Sequence, residues 1–221
     1  MDQIDTDVKP RRRYDATRRR RQAQLTRQAV VDVARQLLLT RGYAGTTIAA
    51  IAGEADVSVE MIYKAFGGKP GLVRAIWERA LAGAGPISAY RRSDTMRLHE
   101  TDARAVIRQW GTFTTEVAPR VAPILLLIRT AAAIDPDMAA LHAEVIQEQL
   151  MRMEHNARYL FERGDLRPDL SLAQARDVML VYSSPEVYDL LVLRQGWPLE
   201  RYGDFVANGL MAALLLPPTG A

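Results

Sequence analysis

The sequence predicts an all-α protein in two parts: an N-terminal three-helix helix-turn-helix domain and a larger C-terminal helical domain. Three observations predict it. Residues 46–69, TTIAAIAGEADVSVEMIYKAFGGK, read as two short helices around a tight turn. Apolar residues elsewhere recur at helical spacing, with no convincing alternating run that would make a strand. Prolines and glycines fall where helices should start and stop. The expected organisation is a disordered arginine-rich arm (1–21), a helix-turn-helix domain (22–82), a connector (83–101) and a helical domain (102–221).

A first helix is expected from Gln22 to Thr40, with Val30, Val33, Ala34, Leu37 and Leu38 inward and Arg41-Gly42 ending it. The next should run from Thr47 to Gly53, with Thr46 as N-cap and Ile48 and Ile51 inward. After the turn Glu54-Ala55-Asp56-Val57, Ser58 caps a helix carrying Met61, Ile62 and Tyr63. Lys69-Pro70 opens a fourth helix to about Leu81, with Leu72, Val73, Ile76 and Trp77 on one face. Gly83, Gly85 and Pro86 interrupt it. Residues 102–117 form the next helix, and Pro119 to Ala133 a short apolar one, buried on most sides. Asp135-Pro136 starts a long helix to Arg163. Asp169 or Ser171 starts another to Tyr182, Ser184-Pro185 one ending at Gly196, and Pro198 the last, to about Leu216.

Composition bounds the possibilities. A chain of 221 residues, 48% hydrophobic and 25% charged, can build one sizeable core or a small domain beside a larger one. The absence of cysteine excludes disulfides and thiolate metal sites and fits a reducing cytoplasm. The N-terminus lacks the apolar stretch of a signal peptide, and the longest apolar run, Val121 to Ile134, is too short to span a bilayer and contains Arg129. A soluble intracellular protein with no membrane partner is expected.

The net charge of +3 is unevenly spread: residues 1–80 hold 15 Lys and Arg against 9 Asp and Glu, the remainder 14 against 17. From Lys9 to Arg27 stand Lys9, Arg11, Arg12, Arg13, Arg18, Arg19, Arg20, Arg21 and Arg27, opposed by Asp15 alone. Such a run is either a solvated tail or, directly before a helix-turn-helix, an arm for DNA phosphates and narrow minor grooves.

The motif residues carry a resemblance. Thr46-Thr47, Ile48, Ile51-Ala52, Val57-Ser58, Ile62-Tyr63, Phe66, Lys69 and Leu72 follow the pattern of the DNA-binding domain of the TetR/AcrR family of bacterial one-component repressors, over roughly residues 25–80. The remaining chain resembles that family's helical ligand-binding and dimerisation domain in pattern. Two positions depart. Asp56 stands where the family usually has glycine, and aspartate tolerates the positive φ required there. Ala65 stands where a polar residue is common, which removes one phosphate contact.

The resemblance implies that Thr47, Tyr63 and Lys69 hold phosphates of double-stranded DNA. Ser58, Val59, Glu60, Met61 and Lys64 are the candidate base readers. Tyr63 has a second reading as core, since Ile62 and Phe66 flank it, and Glu60 another as a partner of its helix dipole. A single recognition helix implies a homodimer on a palindromic operator. Val187, Leu190, Leu191, Leu193, Leu210 and Leu214 are the candidate interface, with internal core as their alternative. The effector pocket of a small molecule is implied between the helix after the connector, the long helix and the helix before Ser183. Its candidate lining is Trp110, Phe113, Thr114, Met151, His155, Tyr159 and Tyr182. Arg129 is a polar outlier that either faces an anion or an acidic partner, or snorkels to the surface. No cofactor or metal is expected: His142 with Glu144, or Glu154-His155, lack the spacing of a helical zinc motif, and no nucleophile elbow or phosphate loop is present. An enzyme is therefore not expected. An architectural DNA-binding protein is the alternative, against which the large helical domain speaks.

Overall fold

The computed structural model describes residues 11–83, 85 and 87–217. Among these there is no β-strand, only an isolated bridge between Leu166 and Leu215. The helices are α1 (Arg11–Arg41), α2 (Ile48–Glu54), α3 (Val59–Phe66), α4 (Lys69–Ala82), α5 (Ala89–Arg97), α6 (Ala103–Ala132), α7 (Pro136–Glu162), α8 (Leu172–Tyr182), α9 (Pro185–Tyr188) and α10 (Leu199–Leu214). Residues 1–10 of the expected arm lie outside the described residues.

Four boundaries differ from expectation. α1 begins at Arg11 rather than Gln22, so residues 11–21 are helical and not a disordered arm. Arginine, alanine and glutamine are good helix formers, and neither glycine nor proline interrupts the stretch. Thr47, not Thr46, is the N-cap of α2: its hydroxyl accepts from Ala50 N at 3.1 Å. Thr46 is buried and its hydroxyl donates to Gly42 O at 2.8 Å instead. The connector contains α5, capped by Ser88, whose hydroxyl accepts from Arg91 N. Residues 103–132 form one helix through Pro119 and Pro123. Each proline removes an intrahelical bond, but Val121, Ala122, Ile124, Leu125 and Ile128 are all buried around them, and that packing holds the helix together. The helix from Pro185 also changes character, passing into a π-helical stretch at Asp189–Arg194 before Gly196 ends it in the left-handed region.

The turn between α2 and α3 takes the conformation its sequence allows. Asp56 adopts φ 51°, the one non-glycine residue with positive φ among those described. α1 packs on α2 and α4, with Val30, Ala34, Leu38, Ile51, Ile62, Leu72 and Trp77 at its centre. This core does not stop at the expected domain boundary: it continues into Ile124, Ile128, Met138 and Val145 of α6 and α7. The connector interrupts the chain but not the packing. A second cluster, around Ile107, Leu160, Met179, Tyr202 and Leu210, joins α6, α7, α8 and α10.

α6 and α10 cross where two glycines meet. A Cβ on Gly111 would lie 2.6 Å from Gly203 O, and one on Gly203 would lie 2.6 Å from Thr115 Cγ2. Only hydrogen fits at either position, and the helices approach backbone to backbone.

Candidate DNA-binding face and internal cavity

α3 is eight residues with one buried face, Ile62 and Phe66, and one open face. Ser58 caps it, its hydroxyl accepting from Met61 N at 3.1 Å. The open face presents Val59, Glu60, Tyr63 and Lys64; Tyr63 is 54% exposed, which removes its core alternative. Met61 is half-buried against the N-terminal core, whereas the other base-reading candidates, Ser58, Val59, Glu60 and Lys64, are exposed. Thr47 is exposed, and a hydroxyl that accepts from Ala50 still has its proton to give.

Lys69 departs most from the expected role. Its ammonium donates to Tyr43 O at 2.7 Å and Thr46 O at 3.0 Å, and lies 3.9 Å from the Tyr43 ring centroid. Burial holds its pKa below the usual lysine value, with Asp135 opposing that shift. The charge is committed to the α1–α2 turn. The first-turn amide of Lys69 at the start of α4 remains for an anion.

Arg27 ties α1 to the recognition helix. It donates to Ala65 O and stacks 4.1 Å over the Phe66 ring. Upstream on the same helix Arg18, Arg19, Arg20 and Arg21 are all exposed. The side chains of Arg11, Arg12 and Arg13 lie outside the described residues.

A cavity of about 950 Å³, the space in its open mouth included, lies between α4, α5, α6, α7, α8, α9 and α10. Trp110, Phe113 and Thr114 line it. Met151, His155, Tyr159, Tyr182 and Arg129 do not, and each has another place. Met151 is exposed. His155 lies against Arg97 and Asp94. Tyr159 Oη donates to the carbonyls of Arg97 and Glu100. Tyr182 packs on Phe205 and fills the space over Gly209. Arg129 reaches the surface and pairs with Glu186, the snorkelling alternative.

The face of α7 that does line the cavity carries Gln149, Arg152, Met153 and Asn156, about 100° round the helix from the expected one. Trp77, Tyr90 and Tyr188 complete the aromatic wall and were not expected in it. Trp77 lies in α4, Tyr90 in the connector and Tyr188 in α9, and nothing local in the sequence places any of them beside Trp110. Burial pushes the phenols of Tyr90 and Tyr188 up.

Trp77 connects the cavity to the DNA-binding domain. Its ring lines the cavity, and its Nε1 donates to Glu148 Oε2 at 3.2 Å. The other oxygen of Glu148 accepts from Arg74, one turn earlier on α4. Nearby, Arg120 of α6 donates to Ala80 O near the end of α4 at 3.1 Å.

The dimer candidates divide. Leu210 and Leu214 are core residues at 3% and 0% exposure, and Val187 and Leu191 pack against that core. Leu210 and Leu214, which α10 buries, follow the internal-core alternative, whereas Val187 and Leu191, before α10, are only partly buried. Leu190 and Leu193 are exposed, as are Val181 and Phe205, which sequence spacing did not single out.

A short helix, a tight turn and an open-faced second helix, set on a helical domain with an apolar cavity, are the layout of a helix-turn-helix DNA-binding protein. Comparison with known proteins sharpens the class. Residues 30–76 match the model for "Bacterial regulatory proteins, tetR family". The chain is 26% identical over 211 residues to the HTH-type transcriptional regulator AcrR of Shigella flexneri, covering 91% of this chain and 95% of that one. Its fold is that of the SmeT–triclosan complex (TM-score 0.68, 20% identity, 89% of this chain and 95% of the other). It is shared too by a choline-bound transcriptional regulator from Saccharomonospora viridis (TM-score 0.66, 15% identity, 88% and 100%). Residues 30–76 thus carry the DNA-binding domain of the tetR family, and over most of its length the chain is similar to transcriptional regulators that carry that domain. Among the described residues no helix is long and apolar enough to cross a membrane.

Proposed function

We propose that this protein is a cytoplasmic repressor that binds a palindromic operator as a homodimer and leaves it when a small molecule occupies the cavity. The observation that carries the reading is Trp77: one side chain is both a wall of the cavity and part of the helix that follows the recognition helix. A ligand that moves its ring acts on the Trp77–Glu148–Arg74 contacts and so on α4. Two orientations of α4, with different ligand affinities, are all the mechanism requires.

On DNA, Thr47, Tyr63 and the Lys69 amide hold phosphates, Val59, Glu60 and Lys64 face the bases, and the α1 arginines add phosphate or minor-groove contacts. The exposed Val181, Leu190, Leu193 and Phe205 form the dimer surface. The choline and triclosan complexes of the structural neighbours support a small-molecule occupant for the cavity. No role in catalysis is proposed. The test is selection of sites from random duplex DNA, followed by a search for small molecules that release the selected site. Recovery of an inverted repeat and its release support the reading; sequence-independent, salt-dominated binding alone overturns it.

A further inference from the structure

The cavity's chemistry names the class of its occupant, an inference that rests on the cavity being the effector site. Its wall is mostly aromatic and aliphatic, and among the described residues that line it the only fixed charge is Arg152, with no carboxylate. Arg152 is nearly buried, and its guanidinium lies 4.6 Å from the ring centroid of Tyr90, another wall residue.

The groups behind the wall leave positive charge in excess. Asp94 accepts from both Arg97 and Arg152, so one carboxylate serves two guanidiniums. Burial alone would push Asp94 up, but the two arginines outweigh it and hold it below the usual carboxylate range. His155 accepts a hydrogen bond from Arg97 and adds no negative charge. The same ratio recurs beside Phe113, where Glu116 pairs with both Arg92 and Arg120. Glu148 also stands outside the wall and is committed to Trp77 and Arg74.

Two further wall groups lack a protein partner. Trp110 Nε1 and Asn156 Oδ1 are buried without a hydrogen bond, in residues 7% and 8% exposed. An indole N–H can only donate, so it calls for an oxygen acceptor on the occupant. A planar carboxylate suits Arg152 as well, because a guanidinium offers its donors as a fork.

We infer that the effector is a monocarboxylate with an apolar body, its head toward Arg152 and Trp110, and that cations of the same shape are rejected. A quaternary ammonium would meet uncompensated arginine charge and could not accept from the indole.

Three probes with one chain and different heads test this on the full-length protein by calorimetry: dodecanoate, 1-dodecanol and dodecyltrimethylammonium. Dodecanoate is expected to bind at least about tenfold tighter than the ammonium, with dodecanol between. Arg152→Gln should bring dodecanoate to the level of dodecanol and leave dodecanol unchanged within about twofold. Trp110→Phe, which keeps an aromatic ring, should weaken both oxygen-headed probes and spare the ammonium. Arg152→Lys keeps the charge without the fork and serves if the glutamine variant fails to fold; it should give an intermediate preference. Equal or tighter binding of the ammonium, an unchanged preference in Arg152→Gln, or no binding of any probe would overturn the assignment. Adding selected operator DNA separates the two readings. Dodecanoate that binds without releasing DNA leaves the carboxylate assignment standing and sinks the release mechanism. Release by the ammonium alone does the reverse.

Discussion

Tyr43 Oη donates a 2.6 Å hydrogen bond to Asp135 Oδ2, joining the loop after α1 to the N-cap of α7. Asp135 uses its other oxygen to accept from Asp137 N and Met138 N. Burial, and then Asp135, push the Tyr43 phenol well above its ordinary range, so it remains a donor at any physiological pH. One carboxylate thus caps the long helix α7 of the C-terminal helical domain and holds the N-terminal helices to it. Tyr43→Phe is expected to cost about 1 kcal/mol in denaturant unfolding, less than a fully buried bond to a charged acceptor. It should also weaken the coupling between effector and DNA more than it weakens DNA binding itself. Equal release curves for variant and wild type would show that this link does not transmit.

Acid should act on the same residue. Tyr43 first, then the two backbone amides, hold the Asp135 pKa below that of a free aspartate. A depressed folded-state pKa means stabilisation that is complete above the unfolded value, roughly 4, and is lost as pH falls from there through the folded one. Asp135→Asn should flatten the stability profile in that window and leave the slope near neutrality unchanged, as followed by urea unfolding across pH.

Lys69 separates a structural from a DNA role. Because its ammonium serves two carbonyls of the α1–α2 turn, Lys69→Met should lower stability by roughly 1–2 kcal/mol. Affinity per folded molecule should change by less than about threefold if only the backbone amide meets the phosphate. A large loss of affinity in a fully folded Lys69→Met protein would return the ammonium to the DNA.

Tyr63 and Glu60 face solvent on α3 and should behave differently from each other. Tyr63→Phe should weaken binding about equally across DNA sequences, by roughly 1 kcal/mol. Glu60→Gln should change which bases are preferred. Competition binding against a panel of single-base variants of the selected site distinguishes the two.

The α6–α10 crossing offers a packing test. With Thr115 Cγ2 and Gly111 O both closer than 3.0 Å to a Cβ at Gly203, Gly203→Ala should destabilise the protein by about 1–3 kcal/mol. A thermal melt that is unchanged would mean that the helices separate freely at this point.

What the sequence made legible follows from how local each signal is. Asp56 at positive φ, Ser58 at the cap and the open face of α3 depend on neighbours a few residues away, and spacing alone places them. Pro119 read as a helix break because its cost is local, whereas the burial that overrides it comes from distant helices. The cavity failed for a related reason. Met151, His155 and Tyr159 make as good a helical stripe as Gln149, Arg152 and Asn156, and only the placement of α5 and α6 decides which faces inward. The aromatic pattern favoured the first; the buried polar pair Arg152 and Asn156 marks the second. Lys69 shows the same limit at a motif position: resemblance locates the residue, and only packing aims its ammonium.

The measurement closest to the central claim is binding of the full-length protein to a duplex selected from random sequence, titrated with dodecanoate. The expected result is an inverted repeat bound by two copies of the chain, and release that Trp77→Phe blunts without preventing dodecanoate from binding. Release that is unaffected by Trp77→Phe, or a selected site with no inverted repeat, would contradict it.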